Sequence, residues 1–167
     1  GGNTDKEKGL IGQAYAVRGM AYYYLVQLYQ NCVKADGTIN SDAPAVPMKL
    51  LAVEGATEEQ IDAAMGRNTV KDLFNQIESD YSKAIENLQN YAPESKNEIS
   101  LQVALGLQAR YYLLSQQWSK AEASARSAQV GYTIMDEKGL QDGFMDISNS
   151  EWMWGFDHNT ETQTTYA

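Results

Sequence analysis

Between Trp118 and Ala128 the sequence reads WSKAEASARSA, and the residues spaced three and four apart are nearly all methyl groups. Trp118, Ala121, Ala125 and Ala128 fall on one face of a helix, where small residues let two helix backbones approach closely. A helix with such a face needs a second one packed directly on it, which points to stacked helical hairpins. That partner stands just upstream, where ISLQVALGLQARYYLLSQQ has helical spacing and either Asn97 or Ser100 as its N-cap. The spacing predicts one helix from there to about Gln116. A second should run from about Trp118 to Val130, with Gly131 as its C′ residue.

Two more helices are predicted earlier in the chain. Apolar residues recur at Ile11, Ala14, Tyr15, Ala21, Tyr22, Leu25, Leu28 and Tyr29, giving a helix from about Lys8 to Tyr29. Another runs from Thr69 to about Asn90, with Val70, Leu73, Phe74, Ile77, Tyr81, Ala84, Ile85 and Leu88 as its stripe and Pro93 beyond its end. Between these two, KADGTINSDAPAVPMKLL is rich in turn formers: Asp36-Gly37, Asn40-Ser41-Asp42, Pro44 and Pro47. The region from about Asn31 to Gly66 therefore reads as an irregular insert. It holds one short helix, opened by a capping box at Thr57 and Gln60 and closed by Gly66. Past Tyr132 the period changes. Trp152, Trp154 and Phe156 alternate in EWMWGF and should share one face of a short strand or extended segment.

The run RGMAYYYLVQLY raises the question of a sugar-stacking platform. Consecutive residues on a helix point about 100° apart, so Tyr22, Tyr23 and Tyr24 cannot form one flat surface. Tyr22 is expected on the stripe with Leu25 and Tyr29, Tyr24 between helices, and Tyr23 toward solvent. Arg18, one turn before Tyr22, reads as a structural hydrogen-bond donor.

Charge and composition narrow the function. Thirteen basic against 22 acidic residues leave a formal net charge of −9, so the chain has no electrostatic attraction to nucleic acid or anionic lipid. No run approaches the roughly 18 apolar residues of a membrane-spanning helix. The single cysteine, Cys32, cannot form an internal disulfide. Cys32 and His158 stand in no nucleophile motif and are too few for a zinc site, so neither a catalytic residue nor a metal or cofactor is expected. The acids Glu58, Glu59, Asp136, Glu137 and Glu151 read as charged surface rather than a glycosidase pair. Asp36, Asn40 and Asp42 offer oxygens, but not at EF-hand spacing. A sugar site needs flat aromatic faces with amides or carboxylates for hydroxyls. Trp152 and Trp154 are candidates for the first, Asn40 and Asp42 for the second. The bland alternatives are that the tryptophans cap the core and that Asn40 and Asp42 make turns.

The two later helices together resemble one tetratricopeptide unit, with Ala109, Tyr112, Trp118, Ala121 and Ala128 at its small and aromatic positions. Met20, Ala21 and Tyr24 align with Gln108, Ala109 and Tyr112, giving a second hairpin. The expected fold class is mainly α: tetratricopeptide-like hairpins of an α-α superhelix, with a long irregular insert and a short extended C-terminal segment.

Five stretches in order carry a wider resemblance. RGMAYYYLVQLYQ, AVPM at Ala45 to Met48, RNTVKDLFNQIESDYSKAIENL, ISLQVALGLQARYYLLSQQWSKAEASA and GFMDISNSEWMWGF each resemble a segment of the SusD/RagB-like outer-membrane nutrient-binding lipoproteins. Gly19 stands where that family usually has alanine, and Gln30 where glycine is common. The signature positions are Arg18, Tyr22, Tyr24, Tyr29, Pro47, Tyr112, Trp118 and Ala121. The resemblance implies a helical domain over 8–156 with 31–66 as insert, flanks at 1–7 and 157–167, and a longer parent protein. It also implies a surface lipoprotein on the extracellular face of the outer membrane, held there only by an N-terminal lipid anchor outside this chain. Such a protein captures oligosaccharide, or in some branches peptide, for a SusC-like TonB-dependent transporter. This segment would serve mainly as scaffold and transporter contact. A protein-binding module without sugar affinity is the competing expectation.

Overall fold

In a computed structural model, the structure describes residues 4–48, 50, 54–143 and 146–156. Six helices follow in order among them: α1 (Asp5–Tyr29), α2 (Glu58–Ala64), α3 (Val70–Leu88), α4 (Leu101–Leu114), α5 (Trp118–Ala128) and α6 (Glu137–Gln141). α1 packs along α3, α4 along α5, and α3 against α4, so two helical hairpins stack side by side. The chain is mainly α as expected, and the described residues contain isolated bridges but no strand.

Helix starts follow side-chain chemistry. Thr57 and Gln60 form the expected reciprocal capping box, and Thr69 with Asp72 forms another at the head of α3. Ser100, not Asn97, caps α4 by accepting from the Val103 amide at 3.2 Å. α1 begins at Asp5, before the expected Lys8, because Thr4 and Glu7 make a third capping box outside the apolar stripe. The short α6, five residues with none buried, has no apolar periodicity to announce it. Asp136 opens it by accepting from the Gly139 amide at 2.8 Å.

α3 buries the stripe its spacing predicts, with Ile85 partly covered. α1 does not. Its buried residues are Gly9, Gly12, Ala16, Gly19, Tyr22 and Val26, while Ile11, Ala14, Ala21, Leu28 and Tyr29 face outward. The seam with α3 is so close that glycine is required within it. A Cβ on Gly12 would stand 2.7 Å from Leu88 Cγ and 3.1 Å from the Ala84 carbonyl oxygen. Tyr23 is half-buried against the core and Tyr24 is 44% exposed, the reverse of the expected pair. The Tyr24 hydroxyl accepts from Arg110 Nη2 at 3.1 Å, so its ring lies at the outer edge of the α1–α4 junction.

The α4–α5 seam is small, as expected, but its members differ. Ala121, Ser124 and Ala128 are buried, and the Ser124 hydroxyl donates to Gln108 Oε1 at 2.9 Å. Trp118 is 62% exposed, contrary to its expected inward position. It is the first residue of α5, at the tip of the hairpin, just past the last turn of α4. α5 ends at Ala128, and Gly131 takes its positive φ of 89° in the turn that follows.

Polar ties cross the helical layers. The Arg18 guanidinium donates to both carboxylate oxygens of the fully buried Asp80, at 2.9 and 2.6 Å. Glu78 accepts from the hydroxyls of Tyr111 and Tyr112, each at 3.3 Å, and pairs with Lys120 at 2.9 Å. Signature residues Tyr112 and Ala121 are both buried beside this cluster.

Candidate functional site

The last turn of α1 turns two apolar side chains to solvent, with Leu28 75% and Tyr29 67% exposed. Gln30 then ends the helix in extended backbone, and the insert begins. Val33 and Ile39 pair as an antiparallel bridge around a turn at Asp36 and Gly37. Asp36 closes that turn by accepting from the Thr38 hydroxyl and amide at 2.7 and 2.9 Å. Those bonds hold its carboxyl below the usual carboxylate range. Asn40 also serves the turn: its backbone N–H donates to Cys32 and its side-chain amide to the Asn31 carbonyl at 3.2 Å. Asp42 is exposed beside it.

From Ser41 the chain straps back onto the head of α3. The Ser41 and Ala43 carbonyls accept from the Lys71 and Val70 amides at 2.9 and 3.0 Å. Pro44 bridges to Thr69, and the Ala45 amide donates to Asn68 at 2.7 Å. Arg67 donates from Nε to the Ala45 carbonyl at 2.6 Å and from Nη2 to the Pro44 carbonyl at 2.8 Å. Gln30 donates to the same Pro44 carbonyl at 2.7 Å. Each of these ties holds an irregular segment whose backbone has no ladder of its own.

This architecture leaves Tyr29 as a crest between two concavities. On one side, a shallow groove of about 600 Å3 runs past Gln27, Gln30, Asn31 and Leu114. On the other, a groove of about 420 Å3 is lined by Tyr29, Ala45, Val46, Pro47 and Arg67. An exposed ring flanked by amides and an arginine is suited to holding a polar ligand with apolar faces. The Cys32 thiol is buried, and burial pushes its pKa up, away from a reactive thiolate. His158 lies outside the described residues. Among the described residues, no three His, Cys, Asp or Glu side chains converge on a point that would hold a metal.

Trp152 and Trp154 lie elsewhere. Trp154 donates from Nε1 to the Asn97 carbonyl at 3.1 Å, and its ring meets Phe156 edge-on at 5.5 Å. The Gly155 amide donates to the Lys96 carbonyl at 3.1 Å, docking this extended segment on the loop between α3 and α4. Trp152 and Trp154 are both half-buried, and Trp154 packs against the core. Asn40 and Asp42 sit by the head of α3 and Trp154 by the loop past its other end, with a helix of 19 residues, about 28 Å long, between. The structure therefore does not bring the two expected halves of a sugar site together. Tyr29 and Arg67, which line the second groove together, are not among the ligand candidates that the sequence offers. The spacing of Tyr29 matches an apolar stripe, and Arg67 reads only as part of the helix-opening stretch RNTV.

Against known proteins, a family model described as SusD-like, "starch-binding associating with outer membrane", matches residues 1–126. A SusD-like carbohydrate binding protein from Bacteroides vulgatus superposes with a TM-score of 0.74 at 26% identity, over 96% of this chain and 32% of that one. A SusD superfamily protein from Bacteroides fragilis is 29% identical with a TM-score of 0.61, over 76% of this chain and 28% of that one. A SusD superfamily protein from Bacteroides thetaiotaomicron shares the fold at 19% identity, TM-score 0.74, over 92% and 32%. The chain thus spans about a third of the length of these solved structures. No curated protein matches it.

Proposed function

This chain belongs to the SusD-like family, and on that premise we propose that it is the helical portion of a glycan-capturing protein of the outer membrane. In this reading the parent protein binds oligosaccharide at the extracellular face, through a lipid anchor elsewhere in its sequence, and passes it to a TonB-dependent transporter. Binding, not catalysis, is its work. The observation that carries the reading is the starch-binding, outer-membrane family model matched over 1–126.

The scaffold and transporter-contact role has its own support in α1. Leu10, Ala14, Val17, Ala21, Tyr24 and Leu28 are all exposed at alternating spacings of four and three. They form an apolar line on the side of the helix away from α3. A helix apolar on both sides usually has a protein surface on each. Within this chain we assign ligand contact to the Tyr29 crest and the neighbouring turn of Asn40 and Asp42. Trp152 and Trp154 are a second, separate aromatic site.

Calorimetric titration of this chain, and of the parent protein, with neutral and acidic oligosaccharides and with peptides tests the proposal. Heat from at least one oligosaccharide class is expected. A parent protein that ignores every oligosaccharide but takes peptide would instead place it in a peptide-binding branch.

A further inference from the structure

We infer that the groove between Tyr29 and Arg67 is a subsite for a carboxylate-bearing sugar unit, a uronate, within a bound glycan. The inference rests on the glycan-binding reading and deepens it. The groove's lining joins the apolar Ala45, Val46 and Pro47 to the exposed Tyr29 ring and the Arg67 guanidinium. That pairing matches a uronate, whose C–H face can lie on the ring while its carboxylate meets the arginine.

Arg67 is prepared for such a ligand in two ways. First, its bonds to the Ala45 and Pro44 carbonyls fix the side chain in place, so little rotamer freedom remains to be lost on binding. Those bonds use only part of the guanidinium's set of donors. Second, it has no carboxylate partner among the described residues, where the ion-paired cations are Lys6, Arg18, Lys120 and Arg126. A positioned arginine without an acid partner, beside an open groove, can meet an anion directly. The amides of Gln27, Gln30 and Asn31 line the far side of Tyr29, where the next sugar unit would lie.

The test compares hexagalacturonate, its fully methyl-esterified form and maltohexaose by calorimetry on the whole chain. The acid form is expected to bind about tenfold or more tightly than the ester, the scale of one charge-assisted hydrogen bond. Added salt should weaken the acid form alone. Arg67→Gln should abolish the difference, and Tyr29→Ala should weaken acid and ester together. Because Arg67 also holds the Pro44–Ala45 turn, the acid–ester comparison on the unaltered chain decides independently of whether that variant folds. Equal binding of acid and ester overturns the inference and leaves the glycan reading standing. Binding of maltohexaose with neither galacturonate form bound does the same. If none of the three binds, the inference fails, and the titrations of the parent protein decide the glycan reading.

Discussion

Arg18 on α1 and Asp80 on α3, 62 residues apart in sequence, join through two parallel hydrogen bonds of 2.9 and 2.6 Å. Asp80 is fully buried, and Gln76 donates to its Oδ1 as well, at 2.8 Å. The pair is the polar fastening of the first hairpin. It fixes which turn of α1 faces which turn of α3. The hydrogen bonds to Asp80 also raise the affinity of Arg18 for its proton.

Removing one partner leaves the other exposed to a large desolvation cost. Arg18→Ala should destabilise the chain by about 2–3 kcal/mol, below the 3–5 of a wholly buried pair because the Arg18 side chain is 38% exposed. Replacing both, as Arg18→Met with Asp80→Leu, should recover most of that loss. Urea unfolding of the single and double variants measures both. A double variant no more stable than Arg18→Ala would contradict this role.

The glycines of the helical layers should divide by the room around them. Gly12→Ala should cost about 1–3 kcal/mol, since its new methyl meets Leu88 and the Ala84 backbone. Gly106→Ala should instead stabilise α4 by about 0.5–1 kcal/mol, because its nearest neighbour is Ala128 Cβ at 3.9 Å and alanine suits a helix interior better. Thermal unfolding of the two variants should show shifts of opposite sign.

The Glu78 cluster gives stability a pH dependence at both ends. Burial alone pushes the Glu78 carboxyl up, but the hydrogen bond and charge of Lys120, with further hydrogen bonds, outweigh it and hold it below 4.5. A depressed folded pKa gives stability that is present above the unfolded value and lost as pH falls through the folded one. Glu78→Gln should therefore flatten the acid side of the stability curve. Burial pushes Tyr112 up to about 12, and Tyr81 and Tyr111 upward as well. Their contribution is complete below pH 10 and lost as pH rises toward the folded values. Phenolate absorbance should show these rings ionising late, together with unfolding, and Tyr112→Phe should extend stability into alkali.

Where side-chain size writes the packing, the sequence was legible. The α3 stripe and the Thr57 capping box could be read directly, and so could the smallness of the α5 seam, though not the outward turn of Trp118 or the burial of Ser124. The α1 seam could not, because hydrophobic spacing counts side chains and this seam is made by their absence at Gly9, Gly12 and Gly19. Spacing alone predicts Leu28 and Tyr29 inward, whereas both face solvent. The site was less legible still. Asn40 and Trp154 are plausible sugar-binding residue types, but only tertiary structure shows that they lie at opposite ends of α3. Arg67 gains its meaning from the carbonyls of Pro44 and Ala45, more than twenty residues earlier in the chain.

On the proposed reading, a glycan is held at the end of α1, over Tyr29. Backbone amide chemical-shift mapping of the chain, titrated with the oligosaccharide that gives the largest calorimetric heat, tests it most directly. Perturbations are expected to group on Gln27 to Val33, on Asn40 and Asp42, on Ala45 and Val46, and on Arg67. Perturbations confined to Trp152 to Phe156, or none at saturating ligand, would contradict it.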